Sequence, residues 1–453
     1  MRTGHMRVGK VPPWAVVRKP MAQTSKARMR GTKKYTIDYS RVDREGFLFS
    51  STRQPERCCS CPPPPPPALR RIEATNMDSC GDDDDGTCEA IIPGLPDDLA
   101  LRCLAKISHG YHGLLECVSK KWKRAIRSMD YAHIKAREGW CGDWLFVLGA
   151  DSPALWHAYD PDADRWHPLP RMPGFTDDDE LCRFSCVSVS NKFLVIGGCH
   201  ISHSEKRCWE TRSVMVFDPF KKQWNATANM QTARTDFACA VISDKVYVAG
   251  GSNSSSSEGL ATAEVYDPDA DKWKDLPSMP FPLIECFSIS HGGQFHVVGK
   301  RICNFQHDTY VTFNPSDQKW HVMEDLLPVC KLTHDTTTII ESDIYSILPD
   351  GTVTMVMPDQ KDWHALGVYP AVVLPDHDRP LSPFGFGFIA FGRCIYVVGG
   401  MVLKYNTSNH TYAYVKLDAT KFCDPRTSPL EWQDAKPMPV QACRILGCAS
   451  MEE

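Results

Sequence analysis

Residues 237–280 read FACAVISDKVYVAGGSNSSSSEGLATAEVYDPDADKWKDLPSMP, and most of the chain repeats their plan. A β-branched and aromatic run ends in Gly250-Gly251, a polar loop follows, a second run ends in Asp267-Pro268, and after four intervening residues comes Trp273. The same spacing joins Asp160-Pro161 to Trp166, Asp218-Pro219 to Trp224, Asn314-Pro315 to Trp320 and, degenerately, Met357-Pro358 to Trp363. A looser sixth copy, Asp424-Pro425 with Trp432, carries an insertion. Upstream, glycine pairs close residues 193–198 (Gly197, Gly198) and 395–400 (Gly399, Gly400). The same slot at 145–150, 296–300 and 344–349 has lost one or both glycines. Repetition at about fifty residues marks the blades of a propeller rather than one compact enzyme core.

Each residue type in the repeat has a physical task. Val, Ile, Tyr and Phe suit a pleated, enclosed strand. The glycines allow positive φ and close backbone approach where that strand leaves the sheet. Asp-Pro ends the next strand, because proline fixes φ and the aspartate caps a turn. The tryptophan opens a short outer strand and has the bulk to fill the gap between blades. One four-stranded unit cannot bury both faces, so the units must pack radially and close. A full unit starts with a short strand before the glycine-ended one, and the first unit, from Trp144, lacks it. Residues 444–450, Arg-Ile-Leu-Gly-Cys-Ala-Ser, have the character of the missing strand. Its pairing with 145–149 would remove an open sheet edge.

This plan resembles the kelch repeat, and the likeness runs from about residue 144 to 451. It implies a mainly β fold, a six-bladed propeller over 139–452 whose C-terminal strand closes the first blade. Gly299-Lys300 and Leu348-Pro349 depart from the family's glycine pair.

Ahead of the repeats, Leu95-Pro96-Asp97-Asp98-Leu99 opens a helical pattern. Proline suits a first helical turn and the carboxylates complement the positive helix start. Leu101, Leu104 and Ile107 then recur at helical spacing, and Leu115, Val118, Trp122 and Ile126 do so in a second helix, with Gly110 and Gly113 between the two. So small a bundle has little stability alone. The pair of motifs, Leu95 to Leu99 and then Val118, Lys120 and Trp122, resembles the F-box, here residues 91–138. The resemblance implies docking on the Skp adaptor of a cullin-RING ubiquitin ligase through Leu95, Pro96, Leu99 and Leu104, with Trp122 bracing the bundle. F-box followed by kelch propeller is similar to the plant F-box/kelch-repeat proteins, substrate receptors without a catalytic site of their own. The alternative is a kelch interaction scaffold outside any ligase.

Composition agrees with these readings. The chain has 453 residues, 42% of them apolar, enough for one small domain and one propeller. A net charge of −4 points to neither nucleic acid nor membrane. No apolar stretch approaches the roughly twenty residues needed to span a bilayer. The 20 cysteines, such as Cys186, Cys239 and Cys286, read as reduced thiols of a protein in the cytoplasm, the nucleus or both. Cys58, Cys59 and Cys61 lack a second pair at zinc spacing, and His200 and His203 lack a further ligand, so no metal or other cofactor is expected. There is no His-Glu-x-x-His, phosphate loop or nucleophile elbow, which leaves a propeller hydrolase or oxidase without its chemistry.

Residues 1–90 are of another composition: a basic, acid-free start, prolines at 62–67 and aspartates at 82–85. Such a segment is expected to be disordered. It reads as a transit peptide, as a basic nuclear address at 28–34, or as an extension upstream of a working start at Met77.

The target is expected on one propeller face. In an antiparallel blade the loop after the second strand and the loop into the next blade share a side. That gathers 199–212, 252–262, 301–308 and 401–411 with Arg183, Arg234 and Arg444. Together with Lys206, Arg207 and Trp209 they would suit an acidic or phosphorylated segment. Equally, the arginines could lock neighbouring blades through backbone carbonyls.

Overall fold

The structure is a computed structural model and describes residues 90–140, 142–150, 155–323, 336–357, 363–375, 379–406, 410–440 and 444–452. The expectations for residues 1–89 and for Cys58, Cys59 and Cys61 lie outside the described residues.

Six antiparallel four-stranded sheets follow one another in chain order. The first is built from both ends of the repeat region. Ile445–Met451 pairs with Trp144–Gly149, Trp144 facing Met451 and Val147 facing Cys448, and His157–Asp160 and Arg165–Pro168 complete it. Blade two holds Ser185–Val189, Lys192–Ile196, Val214–Asp218 and Gln223–Ala226. Blade three holds Ala238–Ile242, Lys245–Ala249, Ala263–Asp267 and Lys272–Leu276. Blade four runs Ile284–His291, Gln294–Arg301, Asn304–Asn314 and Lys319–Val322. Blade five runs Thr337–Ile340, Asp343–Ile347, Thr352–Val356 and His364–Val368. Blade six is Gly387–Phe391, Cys394–Val398, Thr420–Cys423 and Gln433–Ala435. Blades four and five form intact sheets without the glycine pair.

The glycine pair is needed where the chain crosses to its neighbour. Gly198 has φ +96°, and a Cβ there would lie 2.6 Å from Phe184 Cβ. Its N–H donates to Arg234 O, ahead of the next inner strand, at 3.0 Å. Gly251 repeats the arrangement with Leu283 O at 2.9 Å.

The tryptophans lie between blades, and four of them also donate a directed bond. The indole N–H groups of Trp166, Trp224 and Trp273 reach Lys436 O, Pro170 O and Ala228 O at 2.8 Å, and that of Trp320 reaches Pro277 O at 2.7 Å. Each acceptor lies just past the outer strand of the preceding blade. Two residues before Trp166 and Trp273, Asp164 and Asp271 accept the N–H of Lys436 (2.7 Å) and Ala228 (2.9 Å). One residue of the neighbouring blade is thus held by both its main-chain groups. The expected equivalence fails at the two degenerate copies. Trp363 and Trp432 sit before their outer strands rather than in them, and their indole nitrogens have no hydrogen-bond partner among the described residues. Trp432 packs edge-on against Tyr369 instead, 4.9 Å between centroids.

The helical segment has more pieces than its pattern indicates. Asp97–Ala105 is followed by a 3-10 turn at His109–Tyr111, then His112–Glu116, Lys120–Ile126 and Met129–Arg137. The single second helix of the sequence reading is broken because Ser119 caps a new one, its Oγ accepting from Trp122 N at 3.0 Å. Gly113 lies inside a short helix rather than breaking one. The core of this domain is Ile91, Ala100, Leu104, Ala105, Ile126 and Tyr131, with Trp122 against it. Trp122 also donates to Ile91 O at 2.7 Å, which is the bracing role.

Candidate functional site

The helical domain shows apolar side chains that its own core leaves out. Asp97 accepts the N–H of Ile91 at 2.7 Å, tying the Leu95-Pro96 loop to the first helix. That bond holds the Asp97 carboxyl below its usual range. Pro96 and Leu99 are exposed and Leu95 is half-buried. Leu104 is different: at 2% exposure it is a core residue, because it faces Ile126 and Tyr131 across the bundle. It therefore holds the helix from within, a correction to its place among the contact residues. Leu114 and Val118, read as core from their spacing or passed over, are 64% and 60% exposed. The helix break at Ser119 turns Val118 outward.

The domain is joined to the propeller by a polar and aromatic seam. Ser108 Oγ donates to Asp160 Oδ2 at 2.5 Å, and Asp160 Oδ1 caps its own turn by accepting from Ala163 N at 3.1 Å. His109 meets Phe220 edge-on at 4.6 Å, and Arg165 lies over Tyr111 at 5.2 Å. Gly110 packs so closely that a Cβ there would land on the imidazole of His167. Behind the seam, Tyr131 OH meets His112 Nε2 at 2.7 Å, and burial depresses His112 to about 2, so this imidazole is neutral. All the propeller groups in the seam belong to the third-to-fourth-strand side of blades one and two. Gly110→Ala is expected to open the seam and speed hydrogen exchange at 107–112 and 160–167, without lowering the midpoint of the propeller transition by more than a few degrees. Unchanged exchange at both segments would show that the seam tolerates the extra carbon.

The opposite face carries the long loops, and two of them are hairpins. In blade two, Cys199–Ser202 pairs with Arg207–Glu210, and Asp179–Cys182 adds a third strand. Trp209, 39% exposed, stacks on His200 at 4.3 Å, and Phe175 stacks on the other side at 4.6 Å. Lys206 and Arg207 are exposed at the tip. In blade six, Met401–Asn406 pairs with Thr411–Lys416 and shows Tyr405, Tyr412 and Tyr414 to solvent.

The three arginines part company. Arg183 is half-exposed and pairs with Asp236 of the neighbouring blade. Arg444 is part-buried, and its carbonyl accepts from Ala150 N at 2.8 Å. Arg234 is fully buried and cannot meet a target, which corrects its assignment to the reading face. It donates to Gly250 O (3.0 Å), Thr262 O (3.1 Å) and Glu264 Oε1 (2.7 Å), all in blade three, so it braces the blade it leads into rather than locking two neighbouring blades together. His200 and His203 also do not converge. His200 faces Asp179 at 3.3 Å and His203 faces Glu180 at 3.6 Å. Among the described residues, no group of three or more His, Cys, Asp or Glu is arranged to hold a metal ion.

Known proteins share both halves. The F-box domain family matches residues 92–133, and the Kelch motif family matches 233–280. The Arabidopsis thaliana protein named F-box/kelch-repeat protein At1g16250 is 46% identical over 374 residues, 81% of this chain and 98% of that protein. F-box/kelch-repeat protein At1g67480 is 33% identical over 47% of this chain and 56% of its own length. F-box/kelch-repeat protein SKIP30 is 28% identical over 58% and 77%. Both are also from Arabidopsis thaliana.

Proposed function

We propose that this chain, which belongs to the F-box/kelch-repeat family, is the substrate-recognition subunit of an SCF-type (Skp–cullin–F-box) ubiquitin ligase. The F-box binds the Skp-type adaptor, the propeller captures a target protein, and the chemistry of ubiquitin transfer is left to other subunits. The observation that carries the reading is the split between the two surfaces. Leu99, Leu114 and Val118 expose apolar area on a domain whose core is complete without them, as a surface made for a partner does. The seam then holds the F-box on one side of the propeller and leaves the hairpins free on the other. With free thiols at Cys186, Cys239 and Cys286, we place the protein in the cytoplasm, the nucleus or both.

The adaptor contact is assigned to Leu95, Pro96 and Leu99, with Leu114 and Val118 beside them. The triple change Leu95→Ala, Pro96→Ala and Leu99→Ala should remove apolar contact worth roughly a few kcal/mol and abolish co-purification of the Skp adaptor. Leu95 is half-buried, so Leu114→Ser with Val118→Ser serves as a second variant on exposed positions. Undiminished co-purification with both variants would leave an interaction scaffold in place of a ligase receptor.

A further inference from the structure

The hairpins of blades two and six occupy the same place in their blades, directly after Gly197-Gly198 and Gly399-Gly400, but only one of them is complete. In blade two a third strand lies along the first: Cys182 pairs with Cys199, Leu181 with His200, Glu180 with Ile201 and Asp179 with Ser202. His203 N then donates to Asp178 O at 3.0 Å. In blade six the corresponding pairing begins and stops at once. Phe384 and Met401 exchange both main-chain bonds at 2.9 Å. One residue upstream, Pro383 stands opposite Val402 at a position whose backbone faces away from the hairpin, so the next bonds of the ladder would join Ser382 to Leu403, and they are not made. The chain turns away there, and Leu381 exchanges its bonds with Val372 at 2.8 and 2.9 Å.

The remainder of Met401–Asn406 is therefore a strand edge. Met401 bonds outward, so the alternation of an antiparallel ladder points the N–H and C=O of Leu403 and Tyr405 outward as well. Among the described residues no backbone group outside the hairpin reaches them. Beside this edge lies an apolar face. Leu403 opposes Tyr414 and Tyr405 opposes Tyr412, which puts all four on one side, with the tyrosines 37%, 53% and 43% exposed (Tyr405, Tyr412, Tyr414). The hairpin residues 401–416 include Lys404 and Lys416 and no carboxylate.

We propose that an extended acidic–apolar segment of the target protein adds to this edge as a third strand, as Asp179–Cys182 does in blade two. The occupant's nature as a ubiquitination target rests on the receptor reading above; the edge itself does not. Residues directly opposite one another share a face. Target residues opposite Leu403 and Tyr405 lie over the tyrosines and are apolar, and the one between them, opposite Lys404, is acidic. In the internal strand Asp179 stands where that acidic residue would, opposite Ser202, the counterpart of Lys404, while Glu180 rather than an apolar residue faces Ile201, the counterpart of Leu403. Main-chain bonds supply affinity and the alternate side chains supply selectivity, the usual division in strand addition.

The test pans a phage-displayed random dodecapeptide library on the full chain and measures the enriched peptides by fluorescence polarisation. Leu403→Pro is the decisive variant, because its N–H faces the open edge and proline there spares the hairpin ladder. Tyr405→Pro repeats the test should the first variant melt early. The expected result is enrichment of acidic residues flanked by apolar ones, with binding weakened roughly tenfold or more by the proline. No enrichment, or enriched peptides that bind the proline variants as tightly, would overturn the inference. Adaptor co-purification is read separately. If it persists while peptide binding ignores Leu403→Pro, the edge falls alone; if it is absent while the edge binds as described, only the ligase reading falls.

Discussion

Replacing Arg234 by alanine is expected to lower the unfolding free energy of the propeller by about 3–5 kcal/mol. Arg234 and Glu264 are both 0% exposed, and their side chains meet at 2.7 Å inside blade three. Burial pulls the guanidinium below its usual range, and the facing carboxylate offsets only part of that. Glu264 also accepts the N–H groups of Gln231 (2.6 Å) and Thr232 (3.1 Å), which lie on the path from blade two into blade three. Alanine would thus strand a carboxylate in the interior and free the carbonyl of Gly250 as well, while Thr262 O would keep only its bond from Gly250 N. Arg234→Met with Glu264→Leu should be less damaging than Arg234→Ala alone, since neither charge is then left without its partner. Urea unfolding of the three proteins decides the matter. An Arg234→Ala midpoint equal to the wild type would mean that the pair does not brace the blade.

The same pair shows where the sequence is legible and where it is not. Blade number, order and closure depend on strand periodicity, on glycine at positive φ and on proline turns, all of which act locally and leave local marks. Arg234 and Arg183 carry the same residue type at neighbouring inner strands, yet one is buried and the other half-exposed. The difference lies in Glu264 and Asp236, distant partners that no local pattern ties to them. Val118 and Leu104 make the point for the F-box. Both obey helical spacing, but the cap at Ser119 rotates Val118 outward, and Leu104 faces inward because Tyr131 comes from a fourth helix. A signal for that cap was present in Ser119 preceding a basic helical run. The two-residue spacing of Asp164 with Trp166 and Asp271 with Trp273 was also visible. Its meaning was not, since the peptide they grip belongs to another blade. The third strand of blade two, by contrast, follows from pairing between segments on either side of an inner hairpin, which periodicity cannot show.

Trp166→Ala should be as costly as Arg234→Ala, about 3–5 kcal/mol, and should show a different signature. Trp166 is 8% exposed, packs with Tyr159, Tyr396, Met438 and Ile445, and binds Lys436 O across a sequence separation of 270 residues. Trp273 makes the equivalent bond across a separation of only 45. Removing either leaves a large cavity and an unsatisfied carbonyl, so the two losses of stability should be alike. Closure separates them. Blades two and three stay tethered by the chain whatever happens at Trp273, whereas blades six and one are joined by packing, by the latch at Lys436 and by the Ile445–Met451 strand. Once that seam loosens, the ends must find each other over a much longer loop, which adds entropy to the open state. Hydrogen exchange read by mass spectrometry should therefore lose protection locally over 144–149 and 445–451 in Trp166→Ala. Trp273→Ala should keep it there at equal global stability. Protection lost evenly over all six blades in both variants would mean that the ring opens only by global unfolding, and that the joint between the chain's two ends is no weaker than the others.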